Sequence, residues 1–213
     1  MSNHFKPKRV KSDTGPLRVI LFRSRKKDNR EISGFQERIE SFLSRGDELS
    51  PEIQNRFAYL VQNGRFGEVS RMYISVNARN NHKTMESLTK SLIDSAFDWN
   101  PELGEIDMAS VGQLVVSRAA LPENADEHRW LLDIDDNDSR FVGEVVGKLN
   151  EIDPSIKPEL RDTPNGYHVI CAHGFDIREL GNLMDKICLK RDAFYLADIQ
   201  TNKSILRLRS EGL

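Results

Sequence analysis

The chain has few cysteines and no long apolar run. Only two cysteines occur among its 213 residues, Cys171 and Cys188, and neither belongs to a C-x-x-C pair. This pattern argues against a cysteine-based zinc site and against a disulfide framework. No apolar stretch approaches the length that spans a membrane, and the first residues do not follow the signal-peptide pattern. We therefore expect a cytoplasmic protein that makes no contact with a membrane.

Neither sign of charge dominates the whole chain, but the charges are unevenly distributed. The formal net charge is −2, yet residues 1–30 hold ten lysines and arginines against two aspartates. That segment is therefore +8 and the remainder −10. A basic arm is typical of proteins that contact a polyanion such as nucleic acid. A solvated tail without a ligand explains the same composition, and residues 1–16 resemble a disordered arm.

Hydrophobic spacing indicates an α+β fold. The first half predicts strands over residues 17–22 and 71–77, and helices around residues 35–43, 50–63, 85–97 and 108–121. The second half predicts, in order, a strand at 129–134, a helix at 139–149, strands at 156–162 and 167–172, a helix at 176–187 and a strand at 194–199. This βαββαβ order is typical of the ferredoxin-like sheet found in RNA-recognition motifs (RRM).

The expected organisation is a basic disordered arm at 1–16, an N-terminal α/β lobe rich in helices at 17–128, and an RRM-like catalytic lobe at 129–213.

The most informative stretch lies in the expected catalytic lobe, where a strand-like apolar run ends in several aspartates. Asp133 and Asp135 are two residues apart, so on a strand they point to the same face. Two carboxylates so close repel each other unless a cation such as Mg²⁺ or Mn²⁺ lies between them. An acidic turn that caps the next helix through Asp138 explains the same residues.

Other polar residues fall at predicted strand ends, where they could join the acidic pair. Residues 163–166 form a Thr-Pro-Asn-Gly turn, His168 begins the strand just after it, and Asp198 ends a later strand. Arg207 and Arg209 alternate on a strand, so both point the same way. Carboxylates, a histidine and two arginines on one face suit metal ions bound to a polyphosphate. Each residue also has a simpler explanation, as a structural histidine, a turn aspartate or surface arginines.

The order of these motifs resembles that of the archaeo-eukaryotic primase superfamily, and is most similar to the primase-polymerase domains of phages and plasmids. The resemblance covers about residues 70–213. It is carried by the opening strand 72–79, the hhhDhD pattern at 130–135, and the segments 163–169, 195–198 and 204–210. After the arginine of the closing segment, Arg209 and Glu211 stand where the family has proline and glycine.

The resemblance implies nucleotidyl transfer, in which a 3′-hydroxyl attacks the α-phosphate of a nucleoside triphosphate with the help of two metal ions. The implied catalytic and metal-binding residues are Asp133, Asp135 and Asp198. The implied nucleotide-binding residues are His168, Arg207 and Arg209. The implied partners are nucleoside triphosphates, a DNA or RNA strand, and replication proteins. The resemblance also implies a protein encoded by a phage or plasmid in a bacterial host.

Other classes of protein match parts of the pattern. A calcium-binding EF-hand loop would use Asp133, Asp135, Asn137 and Glu144, but it needs glycine where Asp138 stands and a helix before the loop. A phosphatase of the haloacid dehalogenase type would need Gly-Thr after the acidic pair. A non-catalytic nucleic-acid-binding protein that kept the fold would use the sheet and the basic arm for binding alone.

The basic arm generates a first prediction. Deleting residues 1–16 removes four cations and one acid, so binding to a single-stranded oligonucleotide should weaken. The slope of log affinity against log salt should become shallower by roughly 2 to 3. Fluorescence anisotropy at several salt concentrations measures both. A slope equal to that of the full chain would assign the arm another role.

Overall fold

A computed structural model of the chain describes residues 15–46, 49–97 and 110–203. The described part contains two four-stranded antiparallel sheets, so the fold is α+β as expected. The strands are β1 Leu17–Ser24, β2 Arg38–Arg45, β3 Val69–Ser75, β4 Trp130–Ile134, β5 Glu159–Thr163, β6 Gly166–Cys171, β7 Ile187–Lys190 and β8 Phe194–Thr201. The α-helices are α1 Pro51–Gln62, α2 Asn81–Phe97, α3 Val111–Ala119 and α4 Ser139–Ile152. None of these helices is long and apolar enough to cross a bilayer.

The first sheet, called sheet A, has the strand order β2-β1-β3-β8. One of its faces packs on α1, which starts as the sequence predicts, with Ser50 accepting a hydrogen bond from the amide of Ile53 and proline in the first turn. Phe22 of β1 and Phe57 of α1 are both fully buried, with ring centroids 5.1 Å apart. The alternating apolar residues of the strands and the apolar stripe of α1 therefore meet in one core.

The predicted helix over residues 35–43 is wrong. Residues 38–45 form β2, which pairs with the whole length of β1, from Leu17 with Arg45 to Ser24 with Arg38. Phe42 fits a helical stripe in the sequence, but it packs edge-on against Phe22 across the strands, at 5.2 Å. An edge strand buries little on either face, so its alternation is weak and the helical spacing arises by chance.

The second sheet, called sheet B, has the order β5-β6-β4-β7 and the predicted βαββ start. One face buries Leu132, Ile134 and Val169 under α4. Two details differ from the prediction. The second helix is a three-ten segment, Ile177–Lys186, interrupted at Gly181. The last strand of the unit is β7, which was not predicted, whereas the predicted strand 194–199 is β8 and belongs to sheet A.

The other face of sheet B packs against the β8 edge of sheet A. Leu131 and Ile170 belong to the same hydrophobic cluster as Ala193, which lies just before β8, and Tyr195, which lies near its start. Strands β7 and β8 are separated by three residues, so the chain passes directly from one sheet to the other. The part of the chain before residue 129 therefore contributes three strands of a sheet that is completed by residues 194–201.

A buried ion pair holds the segment that links β7 of sheet B to β8 of sheet A. Arg79, whose side chain is fully buried, donates from both terminal nitrogens to the carboxylate of Asp192, at 2.8 and 3.1 Å. Asp192 lies in the link between β7 and β8 and also accepts a hydrogen bond from the Asn77 amide at 3.0 Å. The end of β3 is thereby tied to the start of β8.

Removing Asp192 should destabilise the protein strongly, because Arg79 would keep a buried charge without a partner. We expect Asp192→Ala to lower the free energy of unfolding by about 3 kcal/mol. The exposed pair of Arg56 with Glu40 provides the control, and Glu40→Ala should cost less than about 1 kcal/mol. Urea denaturation of both variants measures the difference; equal losses would show that the buried pair does not hold the sheets together.

Candidate functional site

A cleft of about 240 Å³ opens where the two sheets meet. Sheet B contributes three of the predicted site residues to its lining, namely Asp133, Asp135 and His168. The cleft also contains four cations, which are Arg25, Lys27, Arg71 and Lys190, and two aromatic side chains, Tyr73 and Phe194. Negative and positive groups therefore face one another across a small concave space.

Asp133 lies on β4, on the face that points away from α4, directly opposite His168 of β6. The His168 Nε2 is 3.3 Å from Asp133 Oδ1, and the Lys190 ammonium donates to Oδ2 at 2.5 Å. The hydrogen bond from His168, which has the largest effect, and the bond and charge of Lys190 together outweigh burial and lower the pKa of Asp133 to about 2. The carboxylate is therefore fully ionised at neutral pH.

His168 connects the two sheets. Its side chain is nearly buried, and its Nδ1 accepts a hydrogen bond from the Leu196 amide on the free edge of β8, at 3.4 Å. Because Nδ1 is the acceptor, the proton of a neutral imidazole lies on Nε2, from which it is donated to Asp133. Both ring nitrogens are thus bonded to protein groups, and contact of His168 with a nucleotide phosphate remains a prediction.

Asp135 lies in the acidic turn just beyond β4, and this turn passes directly over Gly166. A Cβ atom at position 166 would lie 2.0 Å from the carbonyl oxygen of Ile134, and the residue has a φ of +156°. Only glycine allows this approach. The predicted turn before β6 therefore positions the acidic residues, and Asp138 caps α4 by accepting from the amide of Arg140. The simpler reading of Asp138 as a helix cap is confirmed.

Asp198 lies further along β8, next to an irregularity in the pairing with β3. Its carboxylate accepts hydrogen bonds at 2.7 Å from the Ile199 amide and from the Gln200 side chain. Within residues 15–46, 49–97 and 110–203, no three carboxylate, histidine or cysteine side chains are grouped closely enough to hold a metal ion. The predicted residues Arg207 and Arg209 lie outside the described residues.

The cations on the sheet A side of the cleft were not predicted as site residues. In the sequence, Arg25 and Lys27 belong to the basic segment 1–30, and Arg71 begins a predicted strand. The signal in the sequence is the spacing of Arg25 and Asp28, which a three-ten turn brings together. Arg71 leaves no such signal, because its position depends on the register between β1 and β3.

The donors in the cleft suit a divalent cation that arrives with its own phosphate ligands. Asp133 and Asp135 offer the hard oxygen atoms that Mg²⁺ and Mn²⁺ prefer, and Mg²⁺ often uses one or two carboxylates with water and substrate phosphates. A metal ion at Asp133 would have to replace the ammonium of Lys190 on Oδ2. The residues therefore fit a metal–polyphosphate complex better than a closed protein cage.

Replacing Lys190 should raise the pKa of Asp133. In Lys190→Met the hydrogen bond from His168 remains but the cation is lost, so the pKa should rise from about 2 to roughly 3 or higher. Lys186→Met is the matched control, because Lys186 bonds to Asp136 instead. Carboxyl carbon NMR across a pH titration measures this, and an unchanged Asp133 resonance in Lys190→Met would contradict it.

The same ion pair should make stability depend on pH. The pKa of Asp133 is lower in the folded protein than the value near 4 expected in the unfolded chain. The stabilisation is therefore complete above about pH 4 and is lost as the pH falls toward 2. The difference in unfolding free energy between the unsubstituted protein and Lys190→Met should shrink over that interval.

Comparison of the chain with protein-family models, with curated proteins and with solved structures gave no match. The geometry of the cleft is therefore the basis for any statement about function.

Proposed function

We propose that the protein is a metal-dependent nucleotidyltransferase of the primase and polymerase kind, which adds nucleotides to a DNA or RNA strand. The observation that carries this proposal is that one cleft is lined by Asp133 and Asp135 together with four cations. Carboxylates suit a divalent cation, and arginine and lysine suit phosphate oxygens. A nucleoside triphosphate bound to Mg²⁺ or Mn²⁺ needs both at once.

The strand arrangement supports the same proposal. The order β5-β6-β4-β7 with antiparallel neighbours is that of a ferredoxin-like sheet, the type expected from the resemblance to primases. Asp133 on β4 and His168 on β6 are cross-strand neighbours, so two motifs that are 35 residues apart in the chain adjoin in space. Side chains on one face of a rigid sheet keep their relative positions well.

Each residue of the cleft has a proposed role. Asp133 and Asp135 would hold the metal ion, which neutralises charge on the phosphates when it is bound. His168 holds Asp133 in position through its Nε2. Lys190, released from Asp133, can attract phosphate oxygens, while Tyr73 and Phe194 offer ring faces to a base or sugar. The proposal includes Asp198 as a third carboxylate. It also includes Arg207 and Arg209 as contacts to the phosphates.

A second candidate is a nucleic-acid-binding protein without catalysis. The observation in its favour is that both oxygens of Asp133 are bonded to His168 and Lys190, while Asp198 is bonded to its own neighbours. In this case Lys190 would neutralise Asp133 permanently, and the cations would bind the backbone of a strand. Replication proteins are proposed partners in either case.

Incorporation of labelled nucleotide onto a primed template separates the two candidates. We expect incorporation with Mg²⁺ or Mn²⁺ and none with EDTA. The double variant Asp133→Asn with Asp135→Asn should lose about three orders of magnitude in rate and should also lose Mn²⁺ binding measured by electron paramagnetic resonance.

The matched control is Asp136→Asn, which changes the same acidic turn at a residue that does not line the cleft. It should retain both properties. Full activity in the double variant would refute the proposed metal site. Oligonucleotide binding without any incorporation by the unsubstituted protein would favour the second candidate.

A further inference from the structure

A second charged cluster lies on the wall of the cleft that faces the acidic pair. Arg25 and Arg71 both grip the carboxylate of Asp28 with two bonds each. Arg25 donates from Nε and Nη2 at 2.7 and 3.0 Å, and Arg71 donates from the same two atoms at 2.9 and 2.8 Å. The cluster therefore contains two cations and one anion, with a net charge of +1.

Local structure fixes the cluster in place. The three-ten turn Lys26–Asp28 puts Arg25 and Asp28 three residues apart, where side chains are eclipsed. Asn29 then joins the turn to β3, because its side chain donates to the carbonyl of Val69 at 3.0 Å and accepts from the Val69 amide at 2.7 Å. Arg71 lies two residues further along the same strand. The two guanidinium groups are thus held by separate elements whose distance is fixed.

The cluster still has hydrogen-bonding capacity after Asp28 is satisfied. A guanidinium carries five N–H donors, and each arginine uses two of them on Asp28, which leaves three. No other acceptor for these two side chains occurs among the described residues. The side chains of Arg25, Asp28 and Arg71 are only 16%, 12% and 11% exposed. An excess positive charge in such a poorly hydrated place favours an anionic ligand.

The ionisation state of Asp28 is consistent with its bonds to two arginines. Burial, the largest single influence, raises the pKa of its carboxyl group, but the hydrogen bonds and charges of Arg25 and Arg71 outweigh burial and keep the pKa below its usual range. Asp28 is therefore an anion at neutral pH and orients both arginine forks. The third cation on this wall, Lys27, is exposed and lines the same cleft.

We propose that Arg25 and Arg71, oriented by Asp28, bind the polyphosphate tail of the nucleotide. The proposal rests on the proposed function for the identity of the ligand. The cleft is concave and small, at about 240 Å³, and its opposite wall carries the carboxylates. A polyphosphate with its metal ion would lie between the two walls, whereas a strand backbone would need an extended groove. Asp28 is a positioning residue, because it acts through the two arginines.

The substitution Asp28→Asn distinguishes orientation from simple charge. Removing an acid makes the cleft more positive, so attraction by net charge alone predicts tighter anion binding. Orientation predicts the opposite, because an amide oxygen cannot hold two guanidinium forks by four charge-assisted bonds. Arg71→Lys keeps the charge and removes the planar fork, so it provides an independent variant.

The experiment is calorimetric titration of inorganic tripolyphosphate into the full chain in EDTA, without metal. We expect binding by the unsubstituted protein, weakened about tenfold by Asp28→Asn and by Arg71→Lys. Glu40→Gln and Arg56→Lys make the same chemical changes in an exposed ion pair, which is not part of the cleft lining, and should leave the affinity unchanged. Melting temperatures of all variants identify any that fail to fold.

Three results would overturn the proposal: no tripolyphosphate binding by the unsubstituted protein, equal or tighter binding by Asp28→Asn, or an unchanged affinity in Arg71→Lys. A parallel titration with a single-stranded oligonucleotide adds a fourth, because a loss confined to the oligonucleotide in Arg71→Lys would assign the cluster to the strand backbone.

The titration is independent of nucleotidyl transfer. Metal-dependent incorporation without tripolyphosphate binding would reject the role of Arg25 and Arg71 in binding polyphosphate and leave the proposed function intact. Tripolyphosphate binding that depends on Asp28, with no incorporation, would support the cluster and reject the proposed function.

Discussion

The pairing of β8 with β3 is the constraint on which the rest of the structure depends. Residues 191–193 join β7 in one sheet to β8 in the other, so this pairing forces the two sheets together. Tyr195 is buried at the junction, and the amide of Leu196 on the free edge of β8 is bonded to His168. The distance between the acidic pair and the cations of sheet A follows from that contact.

Two groups of ion pairs lie near this junction, and they differ in net charge. Arg79 with Asp192 is neutral in sum and its arginine is fully buried, as expected where water cannot reach. The cluster of Arg25, Asp28 and Arg71 has an excess positive charge and lies on the cleft wall. The neutral pair of Arg79 with Asp192 therefore fixes the link between the sheets, whereas the cluster with an excess positive charge faces the cleft.

Most elements of sheet B could be predicted from the sequence, because each has a buried face with a clear period. The acidic turn after β4 and the turn before β6 were also predicted, since aspartate clusters and Pro-Asn-Gly leave local signals. The edge strands β2 and β7 were not predicted. The first has no clean alternation, and the second has four residues, too few to show a period.

The candidate site divides in the same way. Asp133, Asp135 and His168 were predicted to converge and they line one cleft. Strand alternation decides the side that Asp133 and His168 face, whereas the turn after β4 places Asp135. Arg25 and Arg71 were missed, because their meeting depends on an antiparallel register that no local pattern encodes. Sheet membership was missed for β8 for the same reason, since pairing partners far apart in the chain leave no periodic trace.

The late arrival of β8 has a consequence for how the chain folds during synthesis. Ser75 of β3 pairs with Phe194 of β8. The edge of β3 that faces β8 is therefore covered only when roughly 120 more residues have left the ribosome. Until then β3 is an open edge with unpaired backbone groups, which is a template for aggregation. The first three strands therefore cannot complete their sheet before residues 194–201 are available, and cooperative folding requires a chain that includes β8.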